Sequence, residues 1–79
     1  MQVKVITPEK ELFNGEAKSI NLPTEAGWIT ILPFHTELIS AVVPGKITID
    51  YEDGEKEFMS VGGVVEVYKN EVNILLKKF

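Results

Sequence analysis

Along most of the chain apolar and polar residues alternate with a period of two, the pattern of strands buried on one face. Val3 and Val5 alternate against Lys4 and Ile6, and Pro8 ends that run after Thr7. A shorter run, Glu11-Leu12-Phe13, stops at Asn14-Gly15. That dipeptide predicts a two-residue hairpin, because a type I′ turn needs positive φ twice. Alternation resumes from Glu16 to Leu22, with Ile20 and Leu22 apolar and Lys18 polar. Pro23 to Gly27 reads as a loop, and Trp28 to Leu32 as a strand bounded by Pro33.

From Pro33 to Val43 the period is ambiguous. Leu38, Ile39 and Val42 fit helical spacing, but Pro44-Gly45 cuts the run short, so a helix and a buried strand both stay open. Beyond Gly45 the alternation is clean, with Ile47, Ile49 and Tyr51 inward and Lys46, Thr48 and Asp50 outward. Asp53-Gly54 predicts a second two-residue hairpin, after which Lys56, Phe58 and Ser60 oppose Glu57, Met59 and Val61. Gly62-Gly63 permits a sharp bend or a bulge. Val65 and Val67 should pair across Lys69-Asn70 with Val72 and Ile74. Turn signals recur about every ten residues, as in an all-β sandwich or barrel. The sequence has no internal repeat and no linker, so it is read as one β domain over residues 1–79.

Composition narrows what such a domain does. Seventy-nine residues bury only ~60–65% of their unfolded surface. A core of that size leaves roughly 3–5 kcal/mol of net stability, and domains this small usually add a disulfide, a metal or a partner. There is no cysteine and a single histidine, His35, so disulfides and thiolate or imidazole metal clusters fall away. A partner subunit is the remaining staple. The formal charge is −4, and all eight cations are lysine. Without arginine's bidentate fork, and with acid in excess, a nucleic-acid partner is not expected. An acidic surface is also repelled by an anionic leaflet, and no apolar run approaches the ~20 residues of a spanning helix. The opening Met-Gln-Val-Lys-Val-Ile enters a strand pattern directly, without a signal or transit segment, which predicts a soluble protein made in the cytoplasm with no direct membrane insertion.

The candidate chemistry is thin. His35 lies in Pro33-Phe34-His35-Thr36-Glu37, where Glu37 has the reach to orient it as an acid–base pair. Such a pair also needs a substrate-sized pocket, and a sandwich this small is filled by its own side chains. His35 therefore reads as a loop histidine bonded to backbone or facing a partner. Gly62-Gly63-Val64 lacks the Gly-Lys-Ser/Thr ending of a phosphate loop and leads into strand residues. Glu52, Asp53, Glu55 and Glu57 crowd one hairpin without the spaced oxygens of a calcium loop, and read as a solvated acidic turn. No catalytic residue, cofactor or metal is expected.

A far more specific signal lies at residues 22–35. The stretch LPTEAGWITILPFH resembles the pattern L-P-T-E-x-G-x-x-x-x-L-P-x-H of the epsilon subunit of proton-translocating rotary ATP synthases. VITPEKELFNGEAKSI resembles that family's opening, AVVPGKITI the segment after the histidine, and VGGVVEVYKNEVNIL its closing hairpin. The similarity runs over essentially all 79 residues. It implies a flattened sandwich of two five-stranded sheets, about ten strands in all, at the foot of the central gamma stalk. In that place the domain would lie against the polar loops of the c-ring and help couple proton-driven rotation to ATP synthesis. By position, Thr7, His35 and Ser40 would face the gamma subunit, and the loop Glu25-Ala26-Gly27-Trp28 the c-ring. The expected location is the cytoplasmic face of the bacterial inner (plasma) membrane, as a peripheral part of the complex.

The sequence departs from that family in four places. Trp28 stands where a charged or small residue is common, Thr30 where a glycine is usual, and Phe34 where a small or polar residue precedes the histidine. Trp28 and Phe34 read either as ordinary core or surface aromatics or as an apolar hot spot at a subunit interface, where Trp is enriched. The C-terminal helical hairpin of most members does not follow Phe79, so neither its inhibition of ATP hydrolysis nor ATP binding is expected. A reading from another class is a free-standing module binding a ligand such as carbohydrate, with Trp28 as stacking platform. That reading requires an exposed aromatic strip on one sheet face.

Overall fold

The computed structural model describes residues 1–78; Phe79, the last residue of the expected final strand, lies outside the described residues. The chain is all-β and sandwich-like, without a helix among the described residues. Its strands are β1 (Gln2–Ile6), β2 (Glu11–Glu16), β3 (Ser19–Thr24), β4 (Gly27–Ile31), β5 (Leu38–Val42), β6 (Gly45–Tyr51), β7 (Gly54–Ser60), β8 (Gly63–Tyr68) and β9 (Glu71–Leu76). The segment that was open between helix and strand is the strand β5. It is too short for a stable helix, and its backbone is taken up by β8 from Leu38 to Val42.

Eight strands follow one hydrogen-bonded path, β2-β1-β9-β8-β5-β3-β6-β7, and the ninth, β4, pairs with β3 off that path. The resemblance implied about ten strands in two separate five-stranded sheets. The observed sheet is instead continuous, though its continuity is thin at one seam. There β3 meets β5 only at Thr24 and Val42, flanked by bonds from Glu25 N to Ala41 O (3.1 Å) and from Val43 N to Pro23 O (3.1 Å). The path curls back on itself, with the Phe13 ring of β2 lying 5.9 Å from the Tyr51 ring of β6. Inside lie Val3, Val5, Ile20, Leu22, Ile31, Ile47, Ile49, Val65, Val72 and Ile74, all essentially without solvent exposure. At about 25 cal/mol per Å² such side chains supply most of what holds a domain this small together.

The turns depart from expectation more than the strands do. Asn14-Gly15 is not a hairpin but the middle of β2, where Gly15 sits opposite Val3 and Asn14 opposite Lys4. Pairing along β1 outweighs the local turn preference, and the Asn14 side chain is used laterally, accepting a hydrogen bond from Gln2 Nε2 at 2.7 Å. The true reversal is at Thr7–Lys10, where Thr7 N donates to Lys10 O at 2.9 Å. Positive φ at two successive residues appears instead at Lys69 (48°) and Asn70 (61°), which join β8 to β9 with Val65 opposite Ile74 and Val67 opposite Val72. The second predicted hairpin exists one residue early, with Glu52-Asp53 at the tip between paired Tyr51 and Gly54. Pro23 and Thr24 belong to β3, so the predicted five-residue loop shrinks to Glu25-Ala26.

Candidate functional site

Three polar side chains are buried among the described residues, Thr7, Thr24 and Ser60, and each shapes a chain reversal. The Thr7 hydroxyl accepts from Lys10 N at 3.2 Å and reaches Lys10 O at 3.2 Å. The Thr24 hydroxyl accepts from Ala26 N at 3.2 Å and donates to Gly27 O at 2.8 Å. Ser60 Oγ accepts from Gly62 N at 2.9 Å. These reversals share one end of the molecule, because β3, β5, β7 and β1 all finish there. Such satisfied hydroxyls fix loop shape at little net cost, while an unpaired one would cost about 1–3 kcal/mol.

At this end the Glu25-Ala26 turn projects into solvent, with ordinary φ at both tip residues and φ of 113° at Gly27. A side chain added at Gly27 would meet nothing within 4 Å, so the glycine is there for backbone conformation and not for space. Trp28 pairs with Pro23 across β3–β4 and is 61% exposed, its ring tip lying over Gly45. Of the two readings of Trp28, core is therefore excluded. The alternation Trp28-Ile29-Thr30-Ile31 already carried that signal, since Trp28 is in phase with exposed Thr30.

At the opposite end Leu32, Pro33, Phe34 and His35 form a turn closed by a bond from His35 N to Leu32 O at 3.0 Å. Phe34 occupies its third position with φ of 63° and is 82% exposed. His35 is half-buried, and its Nδ1 donates to Thr36 O at 2.7 Å. No hydrogen bond or ion pair joins it to Glu37 among the described residues. Ser40 lies midway along β5, half-buried on the inward side with Leu38 and Val42, its hydroxyl 3.4 Å from Ala41 O. Thr7, His35 and Ser40 thus fall at one end, the other end and the middle of the domain, and β9 and β8 separate Thr7's strand from Ser40's.

A feature that the sequence reading missed lies on the outer face of these strands. Ala41, Val64, Leu75 and Ile6 stand opposite one another across β5, β8, β9 and β1. Ile39 extends the row at 73% exposure, and Val64 and Leu75 are each over 40% exposed. The signal was available, for Val64-Val65 and Ile74-Leu75-Leu76 break the alternation by being apolar in both phases, as strands covered on both faces do. Among the described residues the exposed aromatics form no strip: Trp28 is on β4, Phe34 in a loop, and Tyr68 at the end of β8 beneath Lys69 Nζ, 5.4 Å from its ring centre. A sheet-face carbohydrate platform lacks its basis. No group of His, Asp or Glu suited to a metal occurs among the described residues.

The domain is thus a β scaffold with shaped loops at both ends and an exposed apolar row on its outer face. The family model for the ATP synthase Delta/Epsilon chain, beta-sandwich domain matches residues 1–79. The chain belongs to that family. Delta/epsilon chains are stalk components of the ATP synthase and not its catalytic subunits. Among solved structures, the chain resembles one in the Tetrahymena thermophila mitochondrial ATP synthase central stalk/c-ring, with 24% identity and a TM-score of 0.86, covering 99% of this chain and 63% of that one. It also resembles one in the Euglena gracilis mitochondrial ATP synthase, in an OSCP/F1/c-ring structure, with 21% identity and a TM-score of 0.86, covering 94% and 48%. At these identities the likeness is one of fold. The chain spans just under half of one of those two chains and just under two thirds of the other.

Proposed function

We propose that residues 1–79 form a single epsilon-type domain of the central stalk of a proton-translocating ATP synthase, which binds the gamma subunit and the c-ring and so couples proton-driven rotation to ATP synthesis. The observation that carries the gamma contact is the apolar row Ile39, Ala41, Val64, Leu75 and Ile6 on the outer face of β5, β8, β9 and β1. An exposed row of this kind marks an interaction surface. Ser40 belongs to a strand that bears it, Thr7 sets the turn directly after β1, and His35 lies in the loop that enters β5, so these residues frame the gamma side. The Glu25-Ala26-Gly27-Trp28 turn is proposed for the c-ring, because it projects from the opposite end to Phe34 and carries both exposed Trp28 and exposed Glu25. The proposed setting is peripheral, on the cytoplasmic face of a bacterial inner membrane. The two similar structures are mitochondrial, so that compartment rests on the sequence reading.

The test uses the outer face and avoids inward Ser40, where a large charge would disturb folding. Ile39→Glu and Leu75→Glu should leave the circular dichroism spectrum unchanged and weaken binding to gamma by at least about tenfold, equivalent to ~1.4 kcal/mol. A folded Ile39→Glu chain that binds gamma as tightly as the parent would remove the row from the interface.

A further inference from the structure

The turn before β5 is held in a conformation that its own residues do not favour. Pro33 suits the second position of a turn with positive φ at the third, but the third position ordinarily takes glycine or asparagine. Here it is Phe34, at φ 63°. A bulky residue in the left-handed region is a genuine outlier, and the ring obtains nothing for the strain inside the domain because it is 82% exposed. What holds the turn is Asn70, far away in sequence. Phe34 N donates to Asn70 Oδ1 at 2.8 Å, across 36 positions of the chain. Asn70 is itself left-handed, at φ 61°, in the β8–β9 turn, and its carbonyl accepts from Gln2 N at 3.2 Å. One residue therefore ties together the β8–β9 turn, the start of β1 and the loop ahead of β5.

We infer that Asn70 is a positioning residue that latches the Pro33-Phe34 turn so that Phe34 stands out as a pre-formed aromatic anchor for an apolar cleft on the gamma subunit. The inference rests on the gamma-binding reading above, and Phe34 continues that surface because it adjoins His35 in the loop that leads into Ile39. Fixing the ring before encounter spares the complex the ordering of a loop, which is how pre-organisation raises affinity. A large aromatic in a single pose is also the side chain that most often dominates an interface.

The substitutions separate latch from anchor. In the full chain, Asn70→Gly keeps a residue at ease with positive φ but removes the acceptor, whereas Asn70→Asp keeps an acceptor and tolerates the same φ. The Phe34 amide should exchange with solvent roughly tenfold faster in Asn70→Gly and near the parental rate in Asn70→Asp. Unchanged protection in Asn70→Gly overturns the latch. Phe34→Asn relieves the backbone, so its unfolding midpoint should equal or exceed the parent's, while its affinity for isolated gamma subunit should fall by about tenfold or more. Asn70→Gly should fall in the same direction and Asn70→Asp should not. A stable Phe34→Asn chain with parental affinity overturns the anchor. If the parent chain itself does not bind gamma, the underlying reading fails and the anchor with it, while amide exchange still decides the latch.

Discussion

Two turns, Thr24–Gly27 at one end of the domain and Leu32–His35 at the other, each reverse the chain with one residue at positive φ, yet they spend that conformation differently. At Thr24–Gly27 the positive φ falls on a glycine in open space, and a buried threonine hydroxyl bonds both sides of the turn. At Leu32–His35 it falls on an exposed phenylalanine, and the side chain bonded to the turn's tip among the described residues comes from another hairpin. The first turn is relaxed and braced by its own side chain; the second is strained and held by a side chain from outside. A turn that needs no help can vary its exposed tip freely. One that is latched has its shape set by the fold as a whole, which suits a surface that must meet a partner in a fixed pose.

Substitutions at the two ends should keep them apart. The largest effect is expected at Gly45→Ala, where φ is 151° and the new methyl would lie 2.9 Å from Pro23 Cγ beneath Trp28. Overpacking plus backbone strain should cost about 2–3 kcal/mol in urea unfolding. A loss under about 1 kcal/mol would mean that the Pro23–Trp28 stack is loose. Thr24→Val removes both hydroxyl bonds of the relaxed turn and should cost about 1–2 kcal/mol by the same measurement. Gly27→Ala and Phe34→Asn probe the backbone directly. The first should lose about 1 kcal/mol although the space is open, and the second should lose nothing or gain up to ~1 kcal/mol. If both lose stability equally, the contrast between the two turns collapses. Trp28→Ala should be the mildest, within about 0.5 kcal/mol, since an exposed ring contributes little to folding. Its emission in the parent should be that of a largely hydrated indole.

Period-two patterning made most strands legible, down to Val65 opposite Ile74 and Val67 opposite Val72. It failed where local preference and long-range pairing disagree. Asn14-Gly15 looks like a turn in any short window, but six residues of β2 lie along β1, and no short window contains that partner. Lys69-Asn70, by contrast, takes the turn that the valines on its two sides predicted. The loop signature at residues 22–35 placed the family and the projecting Glu25–Trp28 tip. The apolar outer row was written in doubled apolar residues, but only strand order shows that they align. The latch was not legible, because a hydrogen bond between residues 34 and 70 has no local trace.

The parallel pairing of β1 with β9, Gln2 opposite Glu71 through Ile6 opposite Leu75, carries a consequence for how the protein comes into being. Within the domain, β1 pairs with β2 early but meets its second neighbour only after β9 has been made. Closing so long a loop precedes any return from the contacts it allows, which places this domain among slow folders of high contact order. During synthesis at about 5–20 residues per second, β1 spends several seconds with one edge unpaired. Its exposed Gln2 and Lys4, alternating with buried Val3 and Val5, keep that waiting edge polar on one side. Folding is then a single late event, and the amides of β1 and β9 should gain protection together.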